Sequence, residues 1–332
     1  MKVLSGDVGG TKTWLQTIRI QDGNFQLLHE QRFESQRYSD FTSLIHAFHA
    51  SAPLNVVSGL DSACFGVAGP IESDADGRRV KVTNLPWFID ERTLAAELHI
   101  EKVRLINDFE AVAYGTEVLA EKDCVTLQDG LPQVHGNRVT LGAGTGLGAC
   151  QSIWAGDRYL VVPSETGHSD FAPTDEVQIA LLKHLIARVG HVSIEHVLSG
   201  PGLVTIYSFL RESQPGMVNR QLEQAMDTDD AAAVAEFATV HHDALARQAL
   251  EMFIKVYGAV AGNLALINLA HGGVYIAGGI APKLAASMRE FGFLEAFSRK
   301  GKMSALLNAI PIFIVLDSKI GLKGSTLVAS RL

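Results

Sequence analysis

The sequence predicts an α/β protein with two domains. Its 332 residues correspond to about two domains at roughly 150 residues each. Candidate strands and helices are interspersed along the chain, which is the pattern of α/β proteins. A strand–glycine turn–strand unit occurs twice, near residues 5–20 and 139–154, and this arrangement suggests two related halves. Apolar residues make up 47% of the chain and charged residues 19%, so it can bury large cores.

The first half begins with two predicted hairpins. Val3 and Leu4 start a strand that leads into a glycine turn, and residues 14–20 alternate as a second strand. Asp22-Gly23 then turns the chain into a third strand. Residues 63–70 predict a buried strand that ends in a turn. Residues 103–106 predict a further strand, and a helix is expected from Phe109 onward.

The second half repeats the opening. Strands are expected at 139–141, 150–154 and 159–162, with a glycine turn at 142–148 between the first two, and residues 176–258 are mostly helical in pattern. Residues 256–282 form the longest uncharged stretch, which is long enough for a membrane helix. Asn263, Asn268, His271 and two Gly-Gly pairs interrupt it, so we expect a buried helix, a turn and a buried strand.

The composition excludes several classes of protein. With 28 basic and 36 acidic residues the formal net charge is −8, which argues against nucleic-acid binding as the main task. Cys64, Cys124 and Cys150 are too few and too far apart for a disulfide framework, which favours a reducing compartment. The first residues lack the apolar core of a signal peptide. An anionic ligand would therefore be held by backbone N–H groups and a metal ion.

The first glycine turn is a candidate phosphate site. It resembles a Walker loop but fails the pattern, because Thr11 stands where glycine should precede Lys12 and a hairpin follows instead of a helix. A tight turn with no ligand is the simpler alternative. Gly9 and Gly10 would let backbone N–H groups approach a phosphate, and Asp7 could orient a metal-bound water.

The second glycine turn formally matches a dinucleotide fingerprint, Gly144-x-Gly146-x-x-Ala149. That fingerprint must open a helix, whereas an alternating strand follows here, so an NAD-binding domain is a distant alternative. A second phosphate-binding hairpin fits the flanking pattern better. Thr145 could offer its hydroxyl and N–H to a terminal phosphate.

Two groups of polar residues could bind a hydroxylated substrate. Asn107 and Asp108 follow a strand, where they could cap a helix or, for Asp108, accept a hydroxyl proton. Glu165 and His168 lie on a turn after a strand, and Glu195 precedes a glycine-rich segment. Such side chains are usually solvated or structural, but together they suit a polyhydroxyl ligand.

A late apolar strand, residues 272–280, ends in Gly278 and Gly279. A core strand that ends in a glycine turn would explain this pattern. A flat stretch of backbone against which a planar base packs would explain it equally well.

In this order the motifs resemble the bacterial glucokinase family, within the sugar kinases that share the actin-like ATPase (ribonuclease H-like) fold. The resemblance covers nearly the whole chain and rests on residues 6–11, 107–109, 142–148, 165–168, 198–203 and 277–280. It implies two α/β domains around a cleft. The smaller domain would hold residues 1–108 and 316–332, and the larger would hold residues 109–315.

The resemblance also implies a function. It is the ATP-dependent phosphorylation of D-glucose to glucose 6-phosphate at the start of glycolysis, by a cytoplasmic homodimer with no membrane or nucleic-acid partner. A kinase of another hexose or of an amino sugar is an alternative, and so is an actin-like ATPase without a sugar acceptor. The set of Glu165, His168 and Glu195 argues against the last, because a protein-binding ATPase does not need it.

The resemblance assigns roles to individual residues. Asp108 would be the general base, and Thr166 stands where the family has glycine. ATP would come with Mg²⁺, which Asp7 would hold through water. No zinc is expected, because the cysteine-rich zinc motif of the related repressor and kinase group is absent from this sequence. The sugar ligands would be Asn107, Asp108, Glu165, His168 and Glu195. The ATP ligands would be Gly6, Asp7, Val8, Gly9, Gly10 and Thr11 in the first loop, Thr145 and Gly146 in the second, and Gly278 and Gly279 at the adenosine.

Overall fold

The structure, a computed structural model, describes residues 1–75 and 77–332 and divides into two compact units. The first unit comprises Met1–Ala120, Tyr159–Pro163 and Asp317–Leu332. The second comprises Glu121–Arg158 and Ser164–Leu316. The predicted domains, 1–108 with 316–332 and 109–315, stay a prediction.

The first unit contains groups of strands separated by helices. Its strands are β1 (Lys2–Val8), β2 (Lys12–Gln21), β3 (Asn24–Glu34), β4 (Ser62–Val67), β5 (Ile71–Asp74), β6 (Gly77–Lys81), β7 (Phe88–Asp90) and β8 (Val103–Asn107). Its helices are α1 (Phe41–Ala50), α2 (Leu54–Val57), α3 (Glu91–Leu98), α4 (Asp108–Gly115) and the C-terminal α12 (Ile320–Ser330).

The main sheet of the first unit has the order β3-β2-β1-β4-β8. The antiparallel pairs β1–β2 and β2–β3 are the two predicted hairpins. Asp22 and Gly23 have φ values of 52° and 76°, which are the left-handed conformations that a tight hairpin turn requires. Strands β4 and β8 continue the sheet in parallel with β1, so their carboxyl ends lie at the same edge as the end of β1. The smaller sheet is β5-β6-β7.

Alternating side chains divide the apolar residues of this sheet between its two faces. Leu4 belongs to the larger cluster, with side chains of α1 and α3. Val3 belongs to a second cluster, with Ala111 of α4 and Ala329 of α12. Helices α4 and α12 therefore cover the face opposite to α1 and α3.

The second unit is built on a sheet that includes the order β11-β10-β13-β14-β9. Its strands are β9 (Cys124–Gln128), β10 (Arg138–Ala143), β11 (Leu147–Trp154), β13 (Gly273–Ile276) and β14 (Ile312–Val315), and β12 (Tyr159–Ser164) crosses the division between the units in sequence. Its helices are α5 (Glu176–Val189), α6 (Gly200–Ser213), α7 (Arg220–Thr239), α8 (Ala244–Asn268), α9 (Ala285–Glu290), α10 (Phe293–Ser298) and α11 (Ser304–Asn308).

Helix α8 forms the centre of the second unit. Leu250, Phe253 and Tyr257 are fully buried in a cluster that also contains Leu141 and Ile276 of the sheet. Among the described residues, α8 is the one helix long and apolar enough to span a membrane, but 72% of its most apolar 18-residue window is buried inside the protein. A buried helix at 244–268 and a buried strand at 273–276 confirm the interpretation of the uncharged stretch.

Candidate functional site

The tip of the β1–β2 hairpin carries the first predicted phosphate loop. Gly9 N–H donates to the Lys12 carbonyl at 3.1 Å, which closes the turn. Ser35, at the end of β3, holds the loop from behind: its hydroxyl donates to the Gly9 carbonyl at 2.7 Å and its N–H to the Thr11 carbonyl at 3.0 Å. Thr11 itself is exposed at the tip. The carbonyl oxygens of Gly9, Thr11 and Lys12 therefore accept hydrogen bonds that fix the shape of the loop. The N–H groups at the tip of such a loop are suited to binding an anion.

Two residues predicted for this loop are buried in the strand that precedes it. Gly6 and Val8 pair with Leu15 and Thr13 in the sheet. A Cβ at Gly6 would lie 2.7 Å from Phe65 and 2.8 Å from Leu15, so glycine is needed there for packing. A direct contact of Gly6 or Val8 with ATP stays a prediction.

Asp7 lies at the end of β1 and has an unusual carboxyl group. Its pKa is raised from 3.8 to about 6, mainly by removal from water and also by the negative charge of Asp108, while the positive charge of Lys12 acts in the opposite direction. At neutral pH the carboxyl is still ionised. A desolvated carboxylate next to a second one would be stabilised by a bound cation.

Asn107 and Asp108 occupy the junction between β8 and α4. Asn107 is the N-cap of α4, because its Oδ1 accepts from Phe109 N–H at 2.9 Å and from Glu110 N–H at 3.3 Å. The Asn107 amide donates one N–H to the Gly69 carbonyl at 3.2 Å, and its second N–H could serve a ligand. The half-buried Asp108 carboxylate accepts from Phe109 N–H at 2.8 Å.

The start of α4 is fixed by two further residues. Glu110 completes a capping box, because its carboxylate accepts from Asn107 N–H at 3.4 Å. Burial raises the pKa of Glu110, against the positive charges of Arg78 and Arg104. Gly66 of β4 lets α4 come close, since a Cβ there would lie 2.7 Å from Ala111.

The second predicted phosphate loop connects β10 and β11 in the second unit. Gly144 N–H donates to the Gly146 carbonyl at 2.8 Å, and the Gly144 carbonyl accepts from Gly200 N–H at 2.7 Å. Just before the loop, the buried Tyr257 hydroxyl accepts from Ala143 N–H at 3.0 Å. Thr145 is exposed at the tip. A strand follows this loop instead of a helix, as the hairpin interpretation predicts and the dinucleotide fingerprint does not.

Glu195 belongs to a short 3-10 helix, Ile194–His196, and points at the second loop. Its Oε2 accepts from Leu147 N–H at 2.8 Å. A Cβ at Gly146 would lie 2.5 Å from this oxygen. The structure therefore brings a predicted sugar ligand into contact with a predicted ATP ligand.

Glu165 and His168 lie on the turn after β12. The side chain of Glu165 is 76% exposed and that of His168 is 66% exposed, with 3.9 Å between the carboxylate and the imidazole. Both groups can therefore be reached by a ligand. Thr166 orders the turn, because its hydroxyl bonds that of Ser164 at 2.7 Å.

Gly278 and Gly279 follow β13 and are exposed. Gly278 has φ of 86° and approaches the end of β10 so closely that a Cβ would lie 2.9 Å from the Ala143 carbonyl. Among the described residues, no heavy atom lies within 4 Å of where a Cβ on Gly279 would be. The backbone at Gly279 thus leaves open space of the kind that a planar base needs.

The donor set suits Mg²⁺ that arrives with a nucleotide. Asp7 offers one carboxylate. Its raised pKa means that the surroundings destabilise the negative charge, and a bound cation would stabilise that charge. Within residues 1–75 and 77–332 no group of three or more His, Cys, Asp or Glu side chains could hold a metal ion by itself. Phosphate oxygens and water would supply the remaining ligands, as is usual for Mg²⁺.

A model of the glucokinase family matches residues 4–332. The chain belongs to the glucokinase family. A relative described as glucokinase, from Nostoc sp. (strain PCC 7120 / SAG 25.82 / UTEX 2576), is 41% identical over 99% of this chain and 99% of its own. The resemblance found in the sequence is therefore confirmed.

Solved structures confirm the fold. A glucokinase from an Antarctic psychrotroph has a TM-score of 0.86 and 28% identity, and the match covers 100% of this chain and 99% of that one. A glucokinase of the ROK family from Streptomyces griseus, solved with glucose and AMPPNP, has a TM-score of 0.64 at 18% identity over 100% of both chains. The predicted α/β, actin-like ATPase fold is thus correct. This member of the glucokinase family is a hexose kinase.

The structure adds residues that the sequence analysis missed. Ser35 holds the first loop from a position far along the chain, and no local pattern marks it. Glu110 stands three residues after Asn107, and that spacing is the signature of a capping box. The contact between Glu195 and Leu147 joins distant segments, so only a structure could reveal it.

Proposed function

We propose that this chain transfers the γ-phosphoryl group of ATP to O6 of D-glucose, giving glucose 6-phosphate and ADP. The observation that carries the proposal is the junction of β8 and α4. It places the Asp108 carboxylate near Asp7, at the end of the strand that leads into the first phosphate loop. A base and a phosphate loop are the two parts that a sugar kinase needs next to each other.

Asp108 acts as the general base in this proposal. O6 of glucose attacks the γ-phosphorus, the bond from that phosphorus to the β,γ-bridging oxygen breaks, and the hydroxyl proton passes to the Asp108 carboxylate. The reaction requires a distance of about 3 Å between this carboxylate and O6. The bond from Phe109 N–H to Asp108 Oδ1 orients the carboxylate at the start of α4.

The two hairpin loops bind the phosphates in this proposal. Gly10 and Thr11 of the first loop and Thr145 and Gly146 of the second present backbone N–H groups and hydroxyls, while Gly9 shapes the first turn. Such donors compensate phosphate charge in a protein whose net charge is −8. Mg²⁺, when bound, neutralises charge that develops on the phosphates, and Asp7 would hold it through water. Gly278 and Gly279 would receive the adenosine.

The sugar is bound by polar side chains from three segments in this proposal. Asn107 offers an N–H, Glu165 and Glu195 offer acceptors, and His168 can do either. A set of this kind selects one hexose, because an epimer leaves one of these side chains without its hydrogen bond.

We also propose that the enzyme acts at the start of glycolysis, as a cytoplasmic homodimer. These statements rest on the family resemblance. Sedimentation of the purified chain over a range of concentrations would test the dimer.

A panel of hexoses with MgATP tests the function. Product is measured by a glucose 6-phosphate dehydrogenase, which reads only glucose 6-phosphate, and in parallel by total ADP release. We expect both signals with glucose, and a much lower kcat/KM for the epimers and for amino sugars. A higher kcat/KM for another hexose or an amino sugar would show that glucose is not the preferred substrate. The protein would then still be a sugar kinase.

A further inference from the structure

The Glu195 carboxylate lies between two glycines that belong to different parts of the proposed site. A Cβ at Gly146, in the second phosphate loop, would lie 2.5 Å from Oε2. A Cβ at Gly167, in the turn that carries Glu165 and His168, would lie 3.4 Å from the same oxygen. The carboxylate can occupy this position because neither glycine has a Cβ.

Leu147 completes the connection. Its N–H donates to Glu195 Oε2 at 2.8 Å, and its carbonyl oxygen would lie only 2.6 Å from a Cβ at Gly167. The residue that ends the phosphate loop therefore touches both segments that carry predicted sugar ligands. Ser199 anchors Glu195 itself, because its hydroxyl donates to the Glu195 carbonyl at 2.8 Å.

We propose that Glu195 couples the sugar site to the second phosphate loop, so that sugar and nucleotide bind cooperatively. The proposal rests on the proposed function, in which Glu195 binds sugar and Thr145 and Gly146 bind ATP. A carboxylate has about four acceptor positions, and the bond to Leu147 N–H uses one on Oε2. A sugar hydroxyl that donates to the carboxylate fixes the side-chain conformation that also orders the loop.

This arrangement makes Glu195 a positioning residue for the nucleotide. Whichever ligand binds first orders the carboxylate and the loop, so the second ligand loses less conformational entropy when it binds. Because linkage is reciprocal, glucose must raise the affinity for nucleotide by the same factor by which nucleotide raises the affinity for glucose. A carboxylate near phosphates also repels them, and that effect has the opposite sign.

Calorimetric titration with Mg·AMP-PNP, with no sugar present, separates the two effects. We expect Glu195→Ala to weaken nucleotide binding by at least about fivefold, the lower end of typical coupling between sites. Glu195→Gln removes the charge and keeps an acceptor oxygen for Leu147 N–H, so it should restore most of the affinity. Glu165→Ala is the matched control, because it removes an exposed carboxylate from the neighbouring turn and should keep the wild-type nucleotide affinity.

The same titrations with saturating glucose measure the coupling itself. In the wild type, glucose should tighten Mg·AMP-PNP binding. In Glu195→Ala this tightening should disappear. Thermal unfolding of each variant shows that it is folded.

Gly167→Ala provides an independent test from the other side of Leu147. The added methyl group must displace the Leu147 carbonyl. None of the proposed ligand residues is mutated in this variant. We expect weaker Mg·AMP-PNP binding in the sugar-free protein.

Tighter nucleotide binding in both Glu195 variants would show that repulsion dominates, and it would overturn the proposal. Equal nucleotide affinity in wild type, Glu195→Ala and Gly167→Ala would also overturn it. These sugar-free titrations do not depend on which sugar is the substrate. If glucose is not phosphorylated but Glu195→Ala still loses nucleotide affinity, the link to the loop stands and the proposed substrate is wrong.

Discussion

Asp108 owes its position to its neighbours, since Asn107 caps the helix and Phe109 N–H holds the carboxylate. We expect Asp108→Asn to keep the fold and to lower kcat by at least about 100-fold, the usual scale for loss of a general base. Asparagine can still accept from Phe109 N–H, so the helix start is preserved. Steady-state kinetics with glucose and MgATP would measure the effect, and near-wild-type turnover would remove Asp108 from the base role.

The exposed Glu165 allows a test of sugar binding. We expect Glu165→Gln to raise the KM for glucose more than it lowers kcat, because in the proposed site this exposed side chain binds hydroxyls that do not react. Initial rates over a range of glucose concentrations would separate the two constants. A glucose KM equal to that of the wild type would place Glu165 outside the sugar site.

Asp7 makes the stability of the metal-free protein depend on pH. Its folded pKa of about 6 lies above the usual 3.8, so the folded state binds the proton more tightly than the unfolded state. The contribution of Asp7 to the free energy of unfolding therefore falls as the pH rises from about 4 to about 6, by roughly 3 kcal/mol in all.

We expect Asp7→Asn, which removes this titration, to gain stability relative to wild type over that window and to keep the gain at higher pH. Urea unfolding at a series of pH values without Mg²⁺ would measure it. A difference between the two proteins that stays constant from pH 4 to pH 7.5 would mean that Asp7 is not desolvated.

Single residues were predictable from sequence where their chemistry is local. Asn107 is compatible with both of its predicted roles. It caps the helix, as its residue type favours, and it keeps one N–H that a ligand could use. Gly6 shows the limit. Its place in a glycine motif suggested a phosphate contact, whereas the structure gives it a packing role against Phe65 and Leu15 that no local pattern encodes.

At the scale of elements, the close packing of α4 against α12 supports the position of Asp108, the proposed base. A Cβ at Gly324 would lie 1.8 Å from the Ala111 carbonyl, and a Cβ at Gly115 would lie 2.3 Å from the Ile320 carbonyl. Only glycine lets the two backbones approach this closely. Helix α4 begins at Asp108, so a shift of this helix pair would move the Asp108 carboxylate.

We expect Gly324→Ala to lower the free energy of unfolding by at least about 2 kcal/mol, within the usual range for overpacking. Gly321→Ala on the same helix is the matched control. Its methyl group would make an ordinary contact with the Asp7 carboxylate at 3.5 Å, so the comparison is made at pH 7.5, and alanine favours a helix. Chemical denaturation of the two variants would compare them, and equal stabilities would contradict the packing argument.

The hairpins were predictable as elements because strand alternation and the Asp22-Gly23 turn are local signals. The predicted strands 14–20, 139–141 and 150–154 lie within β2, β10 and β11, but all three strands extend further toward the glycine turns than the alternation predicts. The pairing of α12 with α4 was not predictable, because it joins helices that are far apart in sequence through glycines that follow no periodic pattern.

At the scale of the whole molecule, function depends on segments that the sequence keeps far apart. The order of the motifs was enough to identify the family, which the family match over residues 4–332 confirms. The order gave no information on contacts such as Ser35 with Gly9 or Glu195 with Leu147, because each depends on the tertiary fold. The assignment of roles to the individual site residues stays a prediction that the variants above can test.

The central claim is that the sugar's 6-hydroxyl is the acceptor, with Asp108 as its base. ADP release from MgATP should be measured with glucose, with 6-deoxyglucose and with no sugar, using one preparation of the purified protein. We predict rapid release with glucose and slow release in the other two cases, because 6-deoxyglucose lacks the hydroxyl that attacks. Release at the same rate in all three would contradict the account, since it would mean that the protein hydrolyses ATP without a sugar acceptor.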